Sequence, residues 1–297
     1  MAGVTLKEIM TGKSGAKAAD TIQERLSQEL IIALVGPVAS GVSTAAQYIK
    51  DILIQDFSYS VGEIIKPSNI IKTEAYRVQK PISDGLSMSD YVQQMQDAGN
   101  LLRETFGNNY LSEKVVERIC KFRVESGGFV DDVHIPGRRA YIVDSIKNPE
   151  ELELLRQIYG ETLCVIGVFA PDELRRARLS DLFVPEDQIA KILDRDQNEP
   201  ATFGQKTRKL FVLADFFVRN DQRKEELRRK IDRFINIVFD TAIHTPARAE
   251  SAMYEASSAA ANSACMSRQV GAAIVSSTGE LISVGWNDVP RSEEHTS

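Results

Sequence analysis

The sequence has few cysteines, few aromatic residues and no excess of positive charge. Its cysteines, Cys120, Cys164 and Cys265, are odd in number and far apart, which excludes a disulfide framework and a self-contained zinc cluster. The formal net charge is -6 at pH 7. A protein whose main task is to grip nucleic-acid backbone needs a basic surface, so we expect no DNA binding.

Long apolar runs are also missing. No stretch reaches the roughly 18 uninterrupted apolar residues of a transmembrane helix, and the N-terminal segment lacks the apolar core of a signal peptide. Together with the sparse cysteines, this predicts a cytoplasmic protein with no membrane partner. The 297 residues and the 43% hydrophobic content are enough for a packed core, and the length favours two domains.

Short apolar runs alternate with segments of helical period after residue 28. The run 30–35 is cut off by Gly36, as expected of a strand buried on both faces of a parallel sheet. We predict further strands at 140–143 and 162–169, and helices at 89–105, 110–123, 149–158 and 221–240. This alternation predicts an α/β fold in which a parallel sheet carries helices on both faces.

The segment from Gly36 to Thr44 follows the first predicted strand and opens a predicted helix. Gly36 and Gly41 have the spacing of the phosphate-binding motif G-x-x-x-x-G-K-[ST]. Glycines in such a loop let backbone N–H groups turn toward one phosphate, and the helix N-terminus adds a favourable partial charge. The alternative is a glycine turn that only joins a strand to a helix.

One position departs from this motif. Val42 stands where the lysine should be, so the side chain that would offset charge during phosphoryl transfer is absent. Ser43 keeps a hydroxyl for magnesium, although Thr44 could be its equivalent. We therefore predict phosphate binding without fast transfer, with magnesium accompanying the nucleotide. The candidate nucleotide-binding residues are Gly36, Ser40, Gly41, Val42, Ser43, Thr44 and, at the end of the second predicted strand, Asp144.

Residues 29–240 resemble P-loop nucleoside and nucleotide kinases. Segment 91–103 resembles their substrate-side helix, and segment 142–148 resembles the end of the Walker B strand, where Asp144 would reach a metal ion through water. Segment 214–220 resembles their late strand. Segment 169–178 resembles the entry to their lid. It contains Arg175, Arg176 and Arg178, which are either phosphate ligands or part of a solvated helix face.

A second resemblance begins after Pro246. The segments 263–275 and 285–290 are similar to the first helix and hairpin of deoxycytidylate deaminases, in which Asn287 matches a substrate-binding asparagine and Cys265 a structural cysteine of the helix. These enzymes hold zinc through an H-x-E and P-C-x-x-C arrangement, which does not follow Pro290 here. The resemblance therefore implies zinc in an intact parent, with its ligands absent from this chain and no catalytic residue assigned in it.

The two resemblances together are those of two-domain bacterial deaminases implicated in defence against phage. They imply that the intact parent converts deoxycytidine nucleotides (dCMP or dCTP) to deoxyuridine nucleotides, assembles as a homo-oligomer, and binds a nucleoside triphosphate or deoxynucleotide in its first domain. The alternatives are an active nucleoside or nucleotide kinase and a non-catalytic nucleotide-sensing regulator. We expect an N-terminal arm at 1–28 and a kinase-like domain at 29–243. The truncated beginning of a deaminase domain is expected at 244–291, followed by a non-native tail at 292–297.

Overall fold

The structure of this protein is a computed structural model. It describes residues 29–131, 133–135, 137–182, 184–198 and 204–289. The chain divides into two compact units, Met1–Thr241 and Ala242–Ser297. The predicted arm at 1–28 and the predicted tail at 292–297 lie outside the described residues.

The first unit is built on a five-stranded parallel sheet with strand order β2-β5-β1-β6-β7. A short antiparallel pair, β3 with β4, lies outside that sheet. The strands of this unit are β1 (Glu29–Val35), β2 (Ser60–Val61), β3 (Phe129–Val130), β4 (Val133–His134), β5 (Arg139–Asp144), β6 (Leu163–Phe169) and β7 (Phe216–Arg219).

Helices connect these strands and cover the sheet. The longest described helix is the one predicted at 89–105. It spans Met88–Phe106 and is flanked by the N-cap Ser87 and the C-cap Gly107. The helices are α1 (Val42–Gln55), α2 (Pro67–Glu74), α3 (Met88–Phe106), α4 (Tyr110–Glu125), α5 (Pro149–Tyr159), α6 (Asp172–Ser180), α7 (Glu186–Asn198), α8 (Thr207–Phe211) and α9 (Lys224–Val238).

The central strand β1 shows why the sheet needs helices on both faces. Successive side chains of a strand point to opposite faces. Leu30, Ile32 and Leu34 belong to one core cluster with side chains of α1 and α9. Their neighbours Ile31, Ala33 and Val35 belong to the opposite cluster, with side chains of α2 to α5. The predicted α/β fold, a parallel sheet with helices on both faces, is confirmed.

The second unit consists of helix α10 (Arg248–Ala260) and an antiparallel hairpin of β8 (Gly271–Val275) and β9 (Leu281–Trp286). Gly271 lies so close to α10 that an added Cβ would overlap the Ala256 carbonyl oxygen, so this position requires glycine. All residues of β9 are exposed. Within the described residues, no helix of the chain is long and apolar enough to cross a membrane.

Two local predictions differ from the structure. The late strand expected at 214–220 is shorter, because the Asp215 side chain accepts a hydrogen bond from Val165 N (2.8 Å) and the strand begins only at Phe216. Cys265 was expected in a helix, but α10 ends at Ala260 and Cys265 lies in the loop before β8.

Candidate functional site

The loop between β1 and α1 has the backbone shape that its glycines predict. Gly41 adopts the left-handed conformation (φ 91°, ψ 28°) and α1 begins at the next residue. Two side chains from elsewhere in the unit hold the loop. Asn220 Nδ2 donates to Ser40 O (2.8 Å), and Arg178 Nη1 donates to Ala39 O (2.9 Å). These two hydrogen bonds hold the backbone of the loop in this conformation.

A cavity of about 440 Å³ opens above this loop. It lies at the carboxyl ends of β1 and β5, where ligands of open α/β sheets bind. The substrate-side helix expected at 91–103 contributes Tyr91, Gln96 and Arg103 to its wall. The arginines of the predicted lid do not line it. The seven candidate nucleotide-binding residues all do: Gly36, Ser40, Gly41, Val42, Ser43, Thr44 and Asp144.

Ser43 and Asp144 meet in this cavity, although they come from a loop and a distant strand end. Ser43 Oγ donates to Asp144 Oδ2 at 2.6 Å. Lys66 Nζ approaches the same carboxylate oxygen at 3.6 Å. Of the two neighbouring hydroxyl residues, it is therefore Ser43, and not Thr44, whose hydroxyl contacts Asp144.

Val42 does not provide the positive charge of the lysine that the motif has at this position. It is buried and belongs to the core cluster between β1 and α1. Its side chain is apolar, so only its backbone N–H is available to a phosphate. The loop therefore brings the Ser43 hydroxyl to the cavity but no cation of its own.

A buried carboxylate that the sequence analysis did not single out ties the loop to α7. Asp196 is fully buried and accepts hydrogen bonds from Val38 N (2.8 Å) and from Lys147 Nζ (2.7 Å). Lys147 also donates to Gly36 O (2.8 Å). This ion pair joins the first turn of the loop, the segment after β5 and α7 at the side of the cavity.

A second buried ion pair supports the substrate-side wall. Arg103 Nε donates to Glu151 Oε1 at 2.8 Å, and the two side chains are only 2% and 1% exposed. The other oxygen of Glu151 accepts from Lys147 N (3.1 Å) and Asn148 N (3.2 Å), which caps α5. Glu151 thus accepts hydrogen bonds from the backbone N–H groups at the start of α5 and also from Arg103 in the cavity wall.

The arginines of the predicted lid fall into two groups by their partners. Arg175 and Arg176 both pair with Asp172 at 2.8 Å, and the bond from Arg176 holds the pKa of Asp172 below its usual value. Arg178 donates to the loop carbonyl of Ala39 and to Asn220 O (3.2 Å), and burial lowers its pKa. Only Arg178 of these three donates to the loop between β1 and α1.

In the second unit, Asn287 joins the two segments that carried the deaminase resemblance. Its Oδ1 accepts from Ser263 Oγ (2.9 Å) and Val270 N (2.7 Å), and its Nδ2 donates to Arg268 O (2.8 Å). Hydrogen bonds, first of all from Ser267, lower the pKa of the nearby Cys265 thiol. Among the described residues of the chain, no group of three or more His, Cys, Asp or Glu side chains could hold a metal ion.

Comparison with known families and proteins gives distant archaeal relatives. No family model matches the chain. UPF0200 proteins of Saccharolobus islandicus and Saccharolobus solfataricus are each 20% identical over 205 residues, which is 68% of this chain and 90% of theirs. A UPF0200/UPF0201 protein of Archaeoglobus fulgidus is 24% identical over 207 residues, 69% of this chain and 54% of its own.

Solved structures with overall similarity include small-molecule kinases. The match with shikimate kinase from Acinetobacter baumannii in complex with shikimate covers 75% of this chain and 99% of the kinase chain, at 11% identity and a TM-score of 0.40. The Mycobacterium tuberculosis APS kinase in complex with AMPPNP and APS covers 72% and 99%, at 12% identity and a TM-score of 0.41.

Proposed function

We propose that the first unit binds a magnesium-nucleoside triphosphate, with the phosphates on the loop from Gly36 to Thr44. The observation that carries this proposal is the 2.6 Å contact between Ser43 Oγ and Asp144 Oδ2 inside a cavity at the carboxyl ends of parallel strands. A loop that only joined a strand to a helix would not need a hydroxyl and a buried carboxylate facing each other at its mouth.

The donor set suits magnesium. Mg²⁺ prefers hard oxygen ligands, keeps several waters and is commonly bound through one or two carboxylates plus substrate phosphates. Ser43 and Asp144 would hold it, directly or through water. When bound, the ion offsets charge on the phosphates. The chain's own residues do the rest: the loop N–H groups orient the phosphates, and Asn220 and Arg178 keep the loop in shape.

The missing loop lysine affects the fate of a bound nucleotide. In phosphate loops that carry this lysine, its side chain reaches the β- and γ-phosphates during transfer. With Val42 in its place, we propose tight binding and slow transfer, which suits a nucleotide-sensing unit or a kinase of low turnover. We favour the kinase version, because α3, which contains the segment that resembles the substrate-side helix of P-loop kinases, lines the same cavity as the loop.

Replacing Ser43 by alanine should weaken binding of ATP by about tenfold or more when magnesium is present, because a contact to a charged site is lost. In EDTA the variant and the wild type should bind ATP alike. Isothermal titration calorimetry with ATP and with dCTP, each with and without magnesium, measures this effect.

Thr44→Ala is the matched control, since Thr44 neighbours Ser43 and also lines the cavity. It should change the affinity much less than Ser43→Ala. If wild-type protein binds neither ATP nor dCTP at millimolar concentration, the proposed function is wrong. Rapid phosphorylation of an added nucleoside would instead favour a competent kinase.

For the second unit we propose a different role, that of the opening part of a deoxycytidylate-type deaminase domain. The supporting observation is that Asn287 bonds to the backbone at Arg268 and Val270 and to the side chain of Ser263. The two segments that resemble the family are thus joined through one amide. These bonds give Asn287 a structural role. The contact of Asn287 with a substrate is proposed from the family resemblance alone.

The 297-residue chain should bind no stoichiometric zinc and release no ammonia from dCMP, dCTP or cytidine. Tetrahedral zinc needs about three protein donors besides its water, and without it a water has far too high a pKa to attack the ring. Metal analysis and an ammonia-release assay check this. A protein whose reading frame runs on beyond Pro290 is the comparison, and the deaminase proposal is abandoned if that protein also holds no zinc.

A further inference from the structure

Three cationic side chains line the cavity among the described residues, and all three pair with buried carboxylates, two of them at hydrogen-bond distance. Arg103 is bound to Glu151 and Lys147 to Asp196. Both acids are almost completely buried, so moving either cation to a ligand would leave an uncompensated charge inside the protein. Arg103 and Lys147 are therefore held where they are.

Lys66 differs from both. It precedes α2, its side chain is 39% exposed, and its ion pair with Asp144 is long at 3.6 Å. Its partner is the carboxylate that faces Ser43. Asp144 is itself buried, but it also accepts a hydrogen bond from Ser43, and a magnesium ion bound there would compensate its charge. With that ion in place, the long and half-exposed Lys66 side chain could exchange its partner for a phosphate.

The geometry points to Lys66 as the residue that supplies the positive charge that Val42 lacks, by contacting the outer phosphates of a bound nucleoside triphosphate. Lys66 Nζ and Ser43 Oγ approach the same oxygen of Asp144, which places the ammonium group at the mouth of the phosphate loop. Magnesium offsets only part of the charge of a triphosphate. Asp144 would help to hold the ion, and Lys66 would supply a further positive charge to the phosphates.

This inference rests on the proposed function, and it identifies which nucleotides the site prefers. A cation near the β- and γ-phosphates discriminates a triphosphate from a monophosphate, because a monophosphate does not reach it. Lys66 is thus a specificity-determining residue for triphosphates, delivered by a segment outside the loop motif.

The test compares binding of ATP and AMP, both with magnesium, to the full-length wild type and to Lys66→Met. We expect the dissociation constant for ATP to rise about 10- to 100-fold, the range of a lost hydrogen bond to a charged group, while that for AMP hardly changes. Lys66→Arg should retain most of the preference for ATP. Lys72→Met is the matched control, because Lys72 lies in the helix that Lys66 precedes but outside the cavity.

The ratio of the two affinities separates the possible outcomes. If the wild type binds ATP and both Lys66→Met and Lys66→Gln keep the wild-type ratio, this inference is wrong while the proposed function stands. A parallel loss of ATP and AMP binding would mean that Lys66 is structural and would also overturn it. If the wild type binds no nucleotide at millimolar concentration, both proposals fail.

Discussion

Replacing Arg103 by methionine is expected to lower the free energy of unfolding of the first unit by about 3–5 kcal/mol. Arg103 and Glu151 are 2% and 1% exposed, so removing the arginine leaves a carboxylate buried without its charged partner. The second oxygen of Glu151 caps α5, and an altered position of that carboxylate would disturb the start of the helix as well.

Chemical denaturation followed by far-UV circular dichroism measures this loss. The single tryptophan, Trp286, lies in the second unit, so its fluorescence reports that unit separately and should not change. The control is Arg229→Met, since the pair of Arg229 with Glu226 is exposed and contributes little. A change below about 1 kcal/mol for Arg103→Met would contradict the argument, as would equal effects of the two substitutions.

Replacing Gly41 by alanine should both destabilise the first unit and raise the dissociation constant for ATP on the order of a hundredfold. A left-handed conformation costs an alanine about 1–2 kcal/mol. The added Cβ would also overlap Asn220 Nδ2, which holds Ser40 O. If the loop shifts to relieve that overlap, several N–H groups move away from the phosphates together.

Gly85→Ala separates the two causes, because Gly85 also has a positive φ (72°) but nothing within 4 Å of an added Cβ. It should show a loss of stability from backbone strain alone and normal affinity for ATP. Thermal unfolding and calorimetry on the two variants provide both readouts. Equal ATP affinities in Gly41→Ala and the wild type would show that the loop does not carry the phosphates.

The parts of the fold that were predictable are those with a strong local signal. The uninterrupted apolar run of β1 and its abrupt end at Gly36 identify a buried strand and the loop after it, and Asp144 was found because a carboxylate at the end of a buried strand is unusual. Helix α3 is indicated by a capping serine and a helical period.

The parts that were missed depend on pairing between distant segments. Lys66, Lys147 and Asp196 carry no motif, and each becomes a candidate only when the sheet brings its segment to the cavity. Strand β2, at Ser60–Val61, is too short to show an alternating pattern, and its place at the sheet edge comes from its pairing with β5.

The strand order has a consequence for how the chain folds. β1 comes first in the described chain, yet its two neighbours in the sheet, β5 and β6, begin only at Arg139 and Leu163. During synthesis β1 must wait, with unpaired backbone groups, until much of the first unit has left the ribosome. Folding dominated by such distant contacts is slow and exposed to aggregation. We expect this unit to need low temperature or chaperones to reach its native state in good yield.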